Sequence, residues 1–294
     1  MTLQQLRQVL TIAESNSMNE AAKKLFVSQP NLSATVREVE EELGITVFMR
    51  NNRGITVTAE GEEFLGYAKQ VVEQYHLLEN RYLNVESKKK FSVSMQHYSF
   101  AVKAFVQLAK EVGMDEYEFA VHETKTKEVI DNVKNLKSEI GVLYLSDFNE
   151  KVLRKLFKEC DIEFKELFTC NTYVYLWKKH PLAGQKEITL DDLQEYPCLT
   201  FEQGVNNSFY YAEEMMSTYE YKRVIKADDR ATMLNLMVGL NGFTLCSGII
   251  SEDLNGDDYA AIPLKESEKM HIGYIKHKGT KLSKLGEIYI DALK

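Results

Sequence analysis

From Thr58 to about Glu86 the chain runs without a proline, and Phe64, Ala68, Val71, Tyr75, Leu78, Tyr82 and Val85 recur at alternating spacings of four and three. Thr58 is a suitable cap, and Glu60, Glu62 and Glu63 lie where the positive end of a helix dipole favours acids. One helix over this stretch is about 40 Å long at 1.5 Å per residue, so it outreaches the short segment before it. It therefore divides the chain into a small unit at 1–58, a helix and hinge at 59–90 closing on Ser87-Lys88-Lys89-Lys90, and a large unit at 91–294. The apolar seam wants a partner helix. Self-association through Phe64, Ala68, Val71, Tyr75, Leu78 and Tyr82 is the favoured reading, and burial against its own domain is the competing one.

A length of 294 residues exceeds what one core usually organises, which agrees with this division. The chain is 44% hydrophobic and 27% charged with 4 prolines, a composition that argues for folded domains over long disordered tails. The N-terminal stretch lacks a basic segment followed by an apolar core, and no apolar run approaches a bilayer span, so a cytoplasmic protein without a membrane partner is expected. Cys160, Cys170, Cys198 and Cys246 show no metal-type spacing and read as free thiols. No metal and no cofactor is expected.

Within the small unit, Leu3, Leu6, Val9, Leu10 and Ala13 predict a helix over 3–14, and Met18, Ala21, Ala22 and Leu25 a short second one. Ser28 then caps a third helix, with Pro30 in its first turn, Leu32, Val36, Val39 and Leu43 as its inward row, and Gly44 as its stop. Its other face carries Gln29, Asn31, Ser33, Thr35 and Arg37, short polar groups suited to base edges in a major groove. Val47-Phe48 and Ile55-Thr56-Val57 flank the polar turn Arg50-Asn51-Asn52-Arg53-Gly54, a hairpin wing with Arg50 and Arg53 available to phosphate. Charge gives no support, since the whole chain carries −8 and residues 1–60 hold six cations against seven acids. The competing reading is a trihelical packing unit, and Lys23 and Lys24 fit a solvated face as well as a phosphate contact.

In the large unit, FSVSM, a helix at about 99–112, YEFAVHE, a helix near 127–136 and EIGVLYL give a βαβαβ order and hence a parallel sheet. TYVYLWK, PCLTF, a helix near 208–219, KRVIKA, a helix near 229–238 and GFTLCSG form a second set, after which MHIGYIKHK and a helix at 282–293 return to the first. Subdomain I is thus about 91–168 with 268–294, and subdomain II about 169–267. Ligands of such sheets sit beyond the carboxyl ends of strands. The candidates are Gln96, His97, Tyr98 and Ser99 on one side, Thr200, Phe201, Glu202, Asn206, Asn207 and Ser247 on the other, and Glu123 and Thr124 between them. Polar residues also gather at strand ends because turns do, so the region is a firmer assignment than any one residue.

The run AAKKLFVSQPNLSATVREVEEELGITVFMRNNRGITVTAEG resembles the DNA-binding signature of LysR-type transcriptional regulators, and KHPLAGQKEITLDDLQEYPCLTF resembles their effector domain. Ala34 stands where the family often has a basic residue. The resemblance implies an α/β protein with an all-α winged helix-turn-helix N-terminal domain and a two-subdomain, periplasmic-binding-protein-like α/β C-terminal domain. It implies that Ser28, Gln29, Pro30, Asn31, Ser33, Thr35 and Arg37 meet double-stranded DNA, with Arg50 and Arg53 on the flanking backbone. The partners it implies are DNA, a small-molecule effector, a second copy in a homodimer and further a homotetramer, and RNA polymerase. Two alternatives stand beside a ligand-controlled regulator: a redox sensor of the same family, with Cys160 and Cys170 close in sequence, and an α/β-cleft enzyme, for which no nucleophile elbow, phosphate loop or metal pair is found.

Overall fold

The computed structural model describes residues 1–15, 17–51, 54–82, 88–113, 116–206 and 208–294, with the side chains of 50–51, 54 and 80–82 outside the description. Two compact units emerge, Met1–Ser87 and Lys88–Lys294.

The first unit opens with α1 (Leu3–Ala13), where Thr2 and Gln5 form a reciprocal capping box. Next come α2 (Met18–Lys24), capped by Ser17, and α3 (Gln29–Leu43), capped by Ser28 and stopped by Gly44 at φ 70°. A left-handed residue at this position ends the helix without a Cβ penalty. Val9, Ile12, Ala21, Leu32, Val36, Val39 and Val47 are buried together as its core. Strands β1 (Phe48–Asn51) and β2 (Gly54–Val57) pair antiparallel with Phe48 opposite Val57. The Glu40 carboxylate accepts from the Val47 and Phe48 amides at 2.7 and 3.0 Å, which ties α3 to the entry of this hairpin.

Helix α4 (Ala59–Tyr82) divides its apolar residues between two faces. Ala68 and Val72 are buried with Leu6, and Phe64 packs beside Leu3 and Leu10 of α1. Val71, Tyr75 and Leu78 are instead exposed, as are Tyr67 and Leu77, while Arg7 lies over the Tyr75 ring. Phe64 and Ala68 of the expected seam thus pack within their own unit. A heptad count registers only periodicity, and α1 supplies a neighbouring apolar row that the count could not see. Tyr82 lies in α4, with its side chain outside the described residues, and Val85 lies outside them altogether.

The second unit is built on a five-stranded sheet of order β4-β3-β5-β12-β6, comprising β3 (Lys89–Met95), β4 (Tyr117–Glu123), β5 (Ile140–Leu145), β6 (Ile162–Asn171) and β12 (Lys269–His277). The first three are parallel, and β12 runs antiparallel to both β5 and β6. On one face Phe91, Val93 and Met95 pack with α5 (Ser99–Val112) and α10 (Lys284–Leu293). On the other, Leu143 and Leu145 meet α6 (Thr126–Lys134) and α7 (Glu150–Glu159). Two smaller sheets complete the unit. One orders β10 (Thr244–Cys246), β7 (Tyr173–Trp177) and β11 (Tyr259–Pro263), and the other pairs β8 (Cys198–Phe201) with β9 (Val224–Ala227). Helix α8 (Arg230–Leu240) packs on β7, β8 and β9, and α9 (Glu252–Asn255) packs against α5.

The chain crosses between the halves at Thr172, whose amide donates to Ser267 Oγ at 2.8 Å and whose hydroxyl donates to the Glu268 carbonyl at 2.9 Å. The two crossovers are thereby fastened side by side. One expectation fails here: 208–219 is a short 3-10 turn at Phe209–Tyr211 followed by irregular backbone. Glu213 and Glu214 are both buried and both bonded to distant partners, a demand that adjacent positions on a helix, pointing about 100° apart, would not meet. Helix α7 and strand β6 were absent from the sequence reading. The charged residues of IEFKELFTCN obscure its alternation, because much of this edge strand is solvated.

Gly61, in the first turn of α4, leaves no room for a side chain: a Cβ there would press into the Val47 carbonyl and stand 3.0 Å from Thr58 Oγ1. Gly61→Ala should destabilise the N-terminal unit by about 1–3 kcal/mol, read as a lower urea midpoint.

Candidate functional site

Two surfaces carry the expected residues, one in each unit. On α3, the inward row Leu32, Val36 and Val39 fixes the helix rotation and leaves Ser28, Pro30, Asn31 and Arg37 exposed, with Gln29, Ser33 and Thr35 half-buried. Ser28 Oγ accepts the Asn31 amide at 3.4 Å, and Pro30 occupies the first turn. Gln29 Nε2 donates to Ser33 Oγ at 2.7 Å, and Thr35 Oγ1 donates to the Asn31 carbonyl at 3.2 Å. The Gln29 amide is thus held along the helix with its carbonyl oxygen left to accept, which lowers the entropy lost when it meets a partner. Arg50 belongs to β1, its side chain outside the described residues, and Arg53 lies outside them altogether. Lys24 pairs with Glu20 at 2.9 Å.

In the second unit a cleft, partly open to solvent, lies among the strand ends of the two halves. His97, Tyr98 and Ser99, leading from β3 into α5, line one side; Phe201, Cys246 and Ser247 line the other. The His97 ring stacks on Phe201 with centroids 3.6 Å apart and planes within 4°. Three donors converge on the buried Glu213 carboxylate: the His97 amide at 2.9 Å, His97 Nδ1 at 2.8 Å and Gln203 Nε2 at 2.9 Å. Gln203 Oε1 in turn accepts the Thr126 amide at 3.1 Å, and Thr126 Oγ1 accepts from Gln96 Nε2 at 2.6 Å.

Beside it, Glu214 Oε1 accepts the Phe201 amide at 2.8 Å. Burial, reinforced by the neighbouring Glu213, pushes the Glu214 carboxyl up to about 8. Burial likewise raises the Tyr98 phenol well above its ordinary value. Arg230, at the start of α8, also lines the cleft and is held by Glu123, its Nε donating to Oε1 at 3.0 Å. Thr244 lines it too, and its buried Oγ1 has no hydrogen-bond partner.

Five of the twelve expected residues therefore line the cleft: His97, Tyr98, Ser99, Phe201 and Ser247. Gln96 is buried beneath it, accepting from the Tyr98 hydroxyl at 2.9 Å. Glu123 holds Arg230, and Thr124 bonds to Glu128. Thr200 stays within β8, Glu202 turns to Lys226 at 3.6 Å, Asn206 closes a turn with Gln203, and Asn207 lies outside the described residues. Glu213, Glu214 and Arg230 were missed. The available signal was a pair of acids inside the otherwise apolar run FYYAEEMM, where unpartnered charge would be costly.

Cys160 and Cys170 do not form a redox pair. Cys160 precedes β6 and Cys170 sits near its far end, so about nine extended residues at roughly 3.3 Å each separate them, several times the reach of a disulfide. Burial also pushes the Cys170 thiol up to about 11 and the Cys246 thiol up to about 12, which leaves little thiolate at neutral pH.

A family model described as a bacterial regulatory helix-turn-helix protein of the lysR family matches residues 3–62, and one described as the LysR substrate binding domain matches residues 113–294. The chain belongs to the LysR family. Among curated relatives it is 25% identical to the HTH-type transcriptional regulator CysL of Bacillus subtilis (strain 168), over 98% of this chain and 95% of that protein. It is 30% identical to the transcriptional dual regulator GltC of the same organism, over 69% of this chain and 66% of that protein. Its fold is that of a full-length OxyR variant from Pseudomonas aeruginosa, with a TM-score of 0.72 at 19% identity, over 100% of this chain and 94% of that one. This LysR-family chain is a DNA-binding transcription regulator with an effector-binding domain. No helix among the described residues is long and apolar enough to cross a membrane.

Glu214 ties stability to pH with a definite sign. Its folded carboxyl titrates above the ordinary 4.5, so the folded state binds the extra proton between about 4.5 and 8. The associated stability, roughly 3–5 kcal/mol, is fully present below pH 4.5 and is lost as pH rises through 8. Denaturant melts of the wild type should therefore weaken more between pH 5 and pH 8 than those of Glu214→Gln; parallel pH profiles would contradict this burial of a protonated acid.

Proposed function

We propose that the regulator works as a homodimer, assembled further into a homotetramer, that sets paired α3 helices into successive major-groove faces of an interrupted palindrome and answers to an effector held in the cleft. The single observation that carries the DNA side is the preorganised Gln29–Ser33 pair on the outward face of a capped helix. Ser28, Pro30, Asn31, Thr35 and Arg37 complete that face, and Arg50 and Arg53 would meet phosphate. Dimerisation supplies what charge does not. Two weakly charged heads joined through α4 share one binding event, so the second docks at high effective concentration. Val71, Tyr75 and Leu78, with Tyr67, form the exposed apolar strip suited to that contact.

In this reading the chain is cytoplasmic, where its DNA is, and RNA polymerase is its downstream partner. The cleft binds without catalysing: the stacking of His97 on Phe201 and its bond to Glu213 suit a wall that holds shape. An effector acts by favouring one arrangement of the two halves over another, and hence one spacing of the reading heads.

Gln29→Ala or Ser33→Ala should lower specific over nonspecific binding by about 1–3 kcal/mol in a fluorescence titration, with the salt slope kept, and an unchanged ratio would remove these residues from base reading. Combining Val71→Glu with Leu78→Glu should shift sedimentation toward the monomer and weaken operator binding at least about tenfold.

A further inference from the structure

Resting on the assignment of the cleft as the effector site, we infer that the effector of this regulator is a small compound bearing an ammonium group on an apolar body, with its charge set against Glu214. The charge inventory of the cleft carries the argument. Among the described lining residues the fixed cation is Arg230, and Glu123 already holds its guanidinium. An anionic ligand must either compete with that carboxylate or approach Glu213 and Glu214, both about nineteen-twentieths buried. A cationic one meets the reverse situation.

The two carboxyls are not equivalent. Glu213 is fully engaged, with donors on both oxygens, and serves to hold His97 against Phe201. Glu214 receives the Phe201 amide on Oε1 together with backbone amides of its own segment, and among the described residues no side chain donates to it, so a ligand donor would displace no side-chain partner. Desolvation keeps a proton on this carboxyl near neutral pH, so the acid waits uncharged until a cation makes its ionisation favourable. Phe201, Tyr98, Tyr175, Met233 and Ile249 provide a lining of aromatic and aliphatic groups, and aromatic faces also attract an ammonium. A second independent mark of a ligand is Thr244, which lines the cleft more than nine-tenths buried with an unpartnered hydroxyl. Such an orphan is costly, and a polar ligand group would relieve it.

Proton release distinguishes this arrangement from simple apolar binding. An ammonium that docks on Glu214 displaces its proton to buffer, so below pH 8 uptake of the ligand should free up to one proton per site. Among the described residues, the other titratable groups facing Glu214 are Glu213 of its own segment, Tyr144 of β5, Tyr98 at the start of α5, Cys198 of β8 and Tyr221 before β9. The three phenols and the thiol are pushed upward and stay protonated across this range, so their protons do not confuse the measurement.

The test is isothermal titration of the full chain with three matched probes, phenethylamine, 2-phenylethanol and phenylacetate, in buffers of different ionisation enthalpy. The inference expects phenethylamine to bind at least about tenfold more tightly than either other probe, the scale of a charge-assisted bond, with proton release near pH 7. Glu214→Gln should erase that margin and the released proton. Should this variant fold poorly, the buffer dependence of the wild type decides the matter alone. Tightest binding by phenylacetate, no binding of phenethylamine at millimolar concentration, or amine binding without proton release would overturn the inference. A cleft-filling Ser247→Trp separates the two levels: carboxylate binding abolished by it leaves the effector site standing and removes only the ammonium assignment, whereas binding indifferent to it removes the site as well.

Discussion

The effector domain depends on one buried carboxylate being fully satisfied. Glu213 comes from an irregular segment of the second half, and takes the amide and ring of His97 from the first half together with the Gln203 side chain. A buried carboxylate left without donors costs several kcal/mol, so the two bonds from His97 fasten the halves together while the Gln203 bond braces Glu213 within its own half. Through Gln203 and Thr126 the same chain of bonds reaches Gln96, and through His97 it sets the aromatic wall against Phe201. An effector that alters any member acts on the junction itself. That is the physical requirement for a ligand in the cleft to change the relation of the two halves.

The N-terminal unit solves a different problem, that of reading a polyanion with an acidic chain. Its answer is geometric. Leu32, Val36 and Val39 lock α3 by burial, and the outward row presents amide and hydroxyl groups whose value lies in direction more than in charge. In the proposed dimer, the electrostatic attraction that most nucleic-acid binders draw from a basic surface would fall to a few arginines and to the pairing of two heads.

How far these sites could be read in advance depended on the range of the determining contacts. Ser28 as a cap, Pro30 in the first turn and Gly44 as the stop were legible because each acts within one helical turn of its own position. His97, Tyr98 and Ser99 were legible because the end of a parallel strand followed by a helix start is a local pattern. Glu213, Glu214 and Arg230 were not, since their partners His97, Phe201 and Glu123 lie far along the chain or on another strand. The stretch 208–219 fell to the same cause: helical spacing of its apolar residues was outweighed by two carboxyls that had to reach separate partners.

The amino-acid order alone determined the LysR-family identity, the order of elements in the reading head and the long helix after it, because periodicity, caps and turn residues act over a few neighbours. Tertiary structure alone decided which face of α4 is spent on α1 and which remains exposed, and that the cleft wall is acidic with its arginine already paired. Burial and pairing belong to the assembled surroundings of a group, and no local pattern records what will be folded against it.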